Sequence, residues 1–254
     1  MTDRNKSITT AVALFVIWMA TTWWLEGRIE TLLRPDADID RLVYAIVANL
    51  LIGILCAIIL LRFILKWNGA ARAAAGFGSL KRTAVAVVAG FVLGLGFYAL
   101  SGGATSDPIV ILNAFAQVLV VSAAEVIVCW AVLGCAFESA LQGVGRWFAV
   151  IVAAVIASML FGVYHFAHSA PFNSVGMVAF LSAIGLVTSL FFFVSRDVYG
   201  TIVFHNFLGV LGVVNALAAK NLLQPLTEPQ PRPLGTAIVT ILVLMTVERF
   251  ALRR

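Results

Sequence analysis

The side chains best suited to chemistry are three histidines and one glutamate, all placed among apolar residues. Residues 161–168 read FGVYHFAH and residues 203–209 read VFHNFLG, and these stretches hold every histidine of the chain: His165, His168 and His205. Glu125 lies in VVSAAEVIVCWAVLG, well away from any polar segment. Because a charged or polar group is costly to bury without a partner, we expect Glu125 to meet imidazole in the folded protein.

Three kinds of chemistry fit a glutamate that converges with histidines. A carboxylate beside imidazole can take a proton from water while a second histidine stabilises an oxyanion. His165, His168, His205 and Glu125 also offer nitrogen and oxygen ligands for zinc, although the stronger HExxH signal is absent. Intramembrane acid and imidazole groups serve as proton relays in transporters as well. We expect no metal or cofactor, with zinc as the alternative.

A structural role for the same residues is the competing interpretation. Polar side chains inside membranes often only bridge helices, at about 0.6 kcal/mol for each hydrogen bond. His168 lies at the end of its apolar segment beside Ser169 and Pro171, so we interpret it as a residue at the edge of a loop. The candidate catalytic residues are therefore Glu125, His165 and His205.

The composition places these groups in a membrane protein. Of the 254 residues, 62% are hydrophobic and only 11% are charged, and the mean hydropathy is +1.03. A helix needs roughly 20 apolar residues to cross a bilayer. The sequence predicts an all-α, polytopic membrane protein, an eight-helix bundle with an enclosed polar cavity, with spans at residues 8–25, 42–64, 83–100, 109–137, 147–168, 175–195, 198–219 and 234–250.

The basic residues predict the orientation of the bundle. The net charge is +5, but Lys and Arg lie at the ends of spans and form no continuous surface, so nucleic-acid binding is not expected. Most of them fall in segments that are cytoplasmic if both termini are inside, in accord with the positive-inside rule. We expect a multi-pass protein of the cell membrane with both termini in the cytoplasm. Those basic residues are Arg4, Lys6, Arg62, Lys66, Arg72, Lys81, Arg82, Arg146, Arg196, Arg249, Arg253 and Arg254.

Three short motifs resemble those of the CPBP family of intramembrane proteases, which includes CAAX-processing and Abi-type membrane proteins. Members carry EExxxR, FxxxH and HxxxN or HxxxD on successive helices, and the corresponding segments here are EVIVCW (125–130), FGVYH (161–165) and HNFLG (205–209). The resemblance covers residues 109–220. It implies that Glu125 and His165 activate water and that His205 supports the oxyanion. Val126, Trp130 and Gly209 depart from the family pattern.

Two functions follow from the resemblance. The first is a glutamic-type intramembrane endopeptidase that cleaves a peptide or a membrane-anchored protein within the lipid bilayer. The second is a catalytically impaired relative that acts in membrane interaction or bacteriocin immunity. We divide the chain into residues 1–108 with three spans, the motif-bearing residues 109–220, and residues 221–254 with the last span, together forming one structural unit.

Overall fold

The computed structural model describes residues 2–34 and 36–252. In that part of the chain it is all-helical, and eight helices are long and apolar enough to cross a membrane. All eight predicted spans are confirmed, and the largest difference is at the fourth, which extends to residue 144. The helices are α1 (Asp3–Gly27), α2 (Asp38–Trp67), α3 (Leu80–Leu100), α4 (Pro108–Val144), α5 (Arg146–Ala167), α6 (Val175–Ser195), α7 (Val198–Ala219) and α8 (Pro231–Ala251).

Local sequence signals set where several of these helices begin. The Ser79 and Ser174 hydroxyls accept hydrogen bonds from backbone N–H groups in the first turns of α3 and α6, and the Asp197 carboxylate does the same for α7. Asp107 caps α4, and Pro108 follows at the first helical position, where its missing N–H is not needed. Such caps satisfy donors that the helix itself leaves free.

The fourth helix forms the centre of the bundle. In the most apolar window of α4, 89% of the residues are buried, against 50% or less for each other span. It packs against α1, α2, α5, α7 and α8. Glu125 is the last residue before its backbone widens into π-helical turns over Val126–Gly134. Such turns are frequent at functional sites.

Helices α3 and α7 approach each other closely because glycines line their contact. A Cβ atom on Gly90 would lie 2.3 Å from the carbonyl oxygen of Gly200, and one on Gly200 would lie 2.5 Å from the carbonyl carbon of Ala86. Small residues allow the same close packing in many membrane bundles. This contact fixes α7, which carries His205, against α3.

Replacing Gly90 by Ala should therefore destabilise the protein by about 1–3 kcal/mol, because the added methyl group meets backbone that cannot move freely. Gly96 lies on the same helix, and nothing lies within 4 Å of the position that a methyl group would take there. Gly96→Ala is therefore the matched control and should be neutral or slightly stabilising. Thermal unfolding of the purified protein in detergent measures both effects. Equal melting temperatures for the two variants would contradict the close contact.

Candidate functional site

The Glu125 carboxylate lies between two imidazole rings in the interior of the bundle. Its side chain is 7% exposed, Oε2 lies 3.0 Å from His205 Nε2, and Oε1 lies 3.7 Å from His165 Nε2. The three residues come from α4, α5 and α7, which are distant in sequence. The structure thus brings together the three residues singled out as candidate catalytic groups.

The orientation of His205 is fixed from its other side. Its Nδ1 lies 2.9 Å from the hydroxyl oxygen of Thr188 on α6, and that hydroxyl is 3.2 Å from the carbonyl oxygen of Ile184. Thr188, His205 and Glu125 therefore form a hydrogen-bonded row across three helices. A partner on the second nitrogen sets which nitrogen of a histidine carries the proton and how the ring is turned.

His165 presents a nitrogen lone pair to the same carboxylate. It stands where α5 tightens into a 3-10 turn over His165–Ala167, and its Nδ1 lies 2.9 Å from the carbonyl oxygen of Phe161. A carbonyl oxygen only accepts, so Nδ1–H is the donor, and Nε2 of the neutral ring is an acceptor. Two acceptors, His165 Nε2 and Glu125 Oε1, therefore face each other, and a water molecule can donate to both.

A second buried carboxylate, Glu26 of α1, was missed by the sequence analysis. It is completely buried, although it lies at the end of a span, where a carboxylate is expected to face water. Its Oε2 accepts hydrogen bonds from His168 Nδ1–H at 3.1 Å and from the Ser169 N–H at 2.8 Å, and its Oε1 accepts from the Ser169 hydroxyl at 2.5 Å.

His168 also differs from its interpretation as a loop-edge residue. It does follow the last turn of α5, but it is only 3% exposed, because the end of α1 packs directly against this segment. Gly27 makes the contact possible, since a Cβ there would lie 2.2 Å from the carbonyl oxygen of Ala167. The sequence does contain signals of this contact. Gly27 follows the Glu26 carboxylate, and His168 and Ser169 are polar residues that need a hydrogen-bond acceptor once they are buried.

Glu125, His165 and His168 lie close enough together for each to offer one ligand atom to the same metal ion. Ligand atoms of Glu125, His165 and His168 all lie within 4.8 Å of one another. The His165 and His168 ring centroids are 5.1 Å apart. The two histidines of the HxxH sequence therefore meet on one side of Glu125, and His205 contacts it from another.

Aromatic residues enclose the polar groups. Trp18 of α1 stacks on Tyr164 with ring centroids 3.7 Å apart. The Tyr164 hydroxyl lies 3.1 Å from the Thr22 hydroxyl and 3.3 Å from that of Tyr44. Tyr44 in turn meets His168 edge to face. The sequence pattern does not distinguish these residues, because aromatic side chains at helical spacing are ordinary in an apolar core.

The departures from the family motifs have clear structural consequences. Trp130 stands where the resemblance implies an arginine; its indole N–H donates to Ser189, and its ring lies 5.3 Å from that of His205. A side chain at Gly209 would lie 2.8 Å from Val118, which leaves little room for a polar group there. Asn206, next to His205, donates to the carbonyl oxygen of Phe115.

Comparisons with protein-family models, with curated proteins and with solved structures gave no match for this chain. The functional interpretation therefore rests on the motif residues and on the geometry of the site.

Proposed function

We propose that this chain is a CPBP-like intramembrane endopeptidase of the glutamic type. The observation that carries the proposal is the position of the Glu125 carboxylate, 3.0 Å from His205 and 3.7 Å from His165 inside a membrane bundle. A carboxylate held in this way is a general base for water. The substrate class is a peptide or a membrane-anchored protein.

In this proposal, Glu125 and His165 hold the attacking water. The water donates one hydrogen to Glu125 Oε1 and the other to His165 Nε2. Glu125 takes a proton as the water oxygen attacks the carbonyl carbon of the peptide bond. Glu125 then passes this proton to the leaving nitrogen as the C–N bond breaks, so the products are a carboxylic acid and an amine.

His205 holds the base in position. Its Nε2 contacts Glu125 Oε2, and its Nδ1 contacts Thr188, so the ring anchors the carboxylate oxygen that does not face the water. The role in oxyanion support implied by the resemblance stays a prediction. What the geometry supports directly is the placement of Glu125 by His205.

An apolar cavity that opens outward between two outer helices offers space for a substrate anchored in the membrane. It lies between α3 and α6, has a volume of about 910 Å³, and is lined in part by Val187 and Phe204. These residues immediately precede Thr188 and His205 in sequence, so the cavity lies against α6 and α7, although Thr188 and His205 do not line it themselves. Lys81 and Arg82 line it as well, at the end of α3 that we assign to the cytoplasm. We propose that the cavity receives the apolar anchor of the substrate.

The second candidate function is membrane interaction or immunity without turnover. It is favoured by Trp130, which fills a position where the resemblance implies a cation, and by Gly209, which lacks a polar side chain. The two functions make different predictions about Glu125→Gln, because a protein that only binds a partner keeps its cellular role in that variant. Loss of the cellular role excludes this second function.

The membrane orientation is part of the proposal. Eight spans place both termini on one side, and the positive-inside rule assigns that side to the cytoplasm of a cell membrane. The outer segment after α1 neutralises its own arginines, since Arg34 pairs with Asp36 and Asp40, and Arg41 pairs with Asp38. Arg253 and Arg254 lie outside the described residues. Labelling of single cysteines introduced at exposed loop positions tests the assignment.

Proteolysis can be tested while the substrate is still unidentified. The purified full-length protein is reconstituted into vesicles together with membrane proteins extracted from its source organism, and new protein termini are identified by mass spectrometry. We expect cleavage within or next to apolar segments, and we expect it to persist after treatment with inhibitors of serine and cysteine proteases. The same set of termini with and without the protein would exclude the peptidase.

Thr188 provides a test of how His205 is positioned. Thr188→Val keeps the shape of the side chain but removes the hydroxyl that contacts His205 Nδ1, and we expect cleavage to fall by about 10- to 100-fold, as when other partners that orient histidines are lost. Thr188→Ser should restore most of the activity. Thr240→Val makes the same change at a buried threonine of α8 and should leave the cleavage rate unchanged. Equal rates for Thr188→Val and Thr240→Val would refute the assignment.

A further inference from the structure

The hydrogen bonds of His165 and His168 indicate which nitrogen of each neutral ring carries the hydrogen. The Nδ1 atom of His165 faces the carbonyl oxygen of Phe161, and that of His168 faces the Glu26 carboxylate. Both partners are acceptors, so each neutral ring carries its hydrogen on Nδ1 and a lone pair on Nε2. His168 Nε2 is buried and has no hydrogen-bond partner among the residues that the structure describes.

The cluster therefore contains more acceptors than one water molecule can satisfy. Glu125 Oε1 and the Nε2 atoms of His165 and His168 each need a donor or a cation, and ligand atoms of these three residues lie within 4.8 Å of one another. A single water molecule donates only two hydrogen bonds. A buried acceptor left without a partner destabilises the folded protein. One cation would satisfy all three atoms.

The donor set is that of a catalytic zinc site. Two imidazole nitrogens and one carboxylate oxygen form the three protein ligands of several zinc hydrolases, with metal–ligand distances of about 2.0–2.2 Å and water in the fourth position. Tetrahedral ligands at such distances are about 3.3–3.5 Å apart. Glu125 Oε1 and His165 Nε2 are already 3.7 Å apart, and no distance in the set exceeds 4.8 Å, so the side chains would have to move closer by at most about 1.5 Å to bind the ion.

The groups behind the ligands also fit a metal site. Histidines that bind metals usually donate their second N–H to a carboxylate or a backbone carbonyl, which orients the ring. Glu26 supplies the carboxylate for His168, and Phe161 supplies the carbonyl for His165. Glu26 and Glu125 place two buried carboxylates close to neutral rings, and a divalent cation would offset their charge.

From these observations we propose that Glu125, His165 and His168 bind one Zn²⁺ ion, with Glu26 orienting His168. This differs from the expectation of no metal drawn from the sequence. The inference goes beyond the proposed function, because a chain without turnover would bind the ion equally well. Glu125 Oε1 and His165 Nε2 hold the attacking water in the proposed function. With the ion bound, these atoms would instead hold the metal, and the metal would take over from Glu125 the activation of a water molecule.

Metal content and zinc affinity test the proposal directly. The full-length protein is purified in detergent, stripped with a chelator, reloaded with Zn²⁺ and freed of excess metal; bound zinc is measured by mass spectrometry, and affinity by competition with a chromogenic chelator. We expect one zinc ion per chain, an increased melting temperature on reloading, and no comparable effect of Mg²⁺, which prefers oxygen ligands. X-ray absorption at the zinc edge should show two imidazole ligands.

Variants separate the proposed site from adventitious zinc. His168→Ala should lose the bound ion, and Glu26→Gln should weaken binding by about 10- to 100-fold, as expected for loss of a partner that orients a ligand. Glu228→Gln changes an exposed carboxylate outside the membrane spans and should bind zinc like the wild type. Should His168→Ala fail to fold, His165→Asn serves as the second variant with the same expected loss.

Two results would overturn the zinc site. One is a wild-type protein that holds no zinc after reloading, and the other is a stoichiometry that is unchanged in both histidine variants. Zinc binding without any cleavage would sustain this inference and reject the proposed peptidase. Cleavage that persists in zinc-free protein, combined with no measurable zinc binding, would reject the zinc site and sustain the peptidase.

Discussion

Glu125→Gln should lower the rate of cleavage by about 10²- to 10⁴-fold, the usual contribution of a positioned acid–base group, while the protein still folds. Glutamine has nearly the same shape and can still contact His205, but its amide cannot take a proton from water. The measurement compares the rate at which new termini appear in vesicles that contain the wild type or the variant. Circular dichroism and thermal unfolding establish that both proteins are folded.

Glu228→Gln is the matched control for this prediction, because it makes the same chemical change at an exposed position. Its cleavage rate should equal that of the wild type. Full activity in Glu125→Gln would remove Glu125 from the mechanism and leave helix bridging as its role. If the variant loses cleavage but keeps the cellular role of the protein, that role depends on binding and not on proteolysis.

Glu26→Ala should destabilise the fold by about 3–5 kcal/mol, as expected when one partner of a buried pair is removed. The substitution leaves three buried donors without their acceptor: the His168 ring N–H, and the N–H and hydroxyl of Ser169. It also opens a space between the end of α1 and the segment after α5. Reversible unfolding in mixed micelles of detergent and SDS measures the free energy of unfolding.

Two further variants test whether the loss of stability in Glu26→Ala comes from the missing hydrogen-bond acceptor. Glu26→Gln keeps one acceptor oxygen and most of the volume, so its loss of stability should be smaller than that of Glu26→Ala. Glu228→Ala removes an exposed carboxylate and should change the free energy of unfolding by less than about 0.5 kcal/mol. A stability of Glu26→Ala equal to that of Glu228→Ala would show that the buried hydrogen bonds of Glu26 do not support the fold.

The architecture could be predicted because membrane spans are encoded in simple local signals. Hydropathy alone located all eight helices, since every crossing needs a long apolar stretch whatever its neighbours are. The convergence of Glu125 with His165 and His205 was also predictable. A carboxylate at the centre of an apolar helix needs a partner, and the histidines were the candidates placed deep enough to serve.

The second half of the site could not be predicted, because distance from the end of a span does not measure burial. Glu26 and His168 both lie at helix ends, where sequence reasoning expects water. In the folded protein these two ends cover each other, and Gly27 allows the backbones to touch. This contact joins residues that are 142 positions apart, and no local pattern encodes such a distance.

The roles of Trp130 and Gly209 could not be predicted from the sequence either. Trp130 and Gly209 could be interpreted only as departures from a family pattern. In the structure, the indole ring of Trp130 packs beside His205. At Gly209, Val118 lies close to the backbone and fills the space that a side chain would take. Which neighbour fills a vacated position depends on tertiary packing, which periodicity does not report.

The burial of α4 restricts access to the Glu125 carboxylate. Neighbouring helices surround α4 on most of its circumference, so Glu125 is held on the part of the molecule with the least freedom to shift. Helices α3, α6 and α8 bury only 17–28% of their most apolar windows, because most of their side chains face outward from the bundle. For the proposed peptidase, a substrate would therefore have to pass between outer helices to reach a carboxylate that lies on the most buried helix of the bundle.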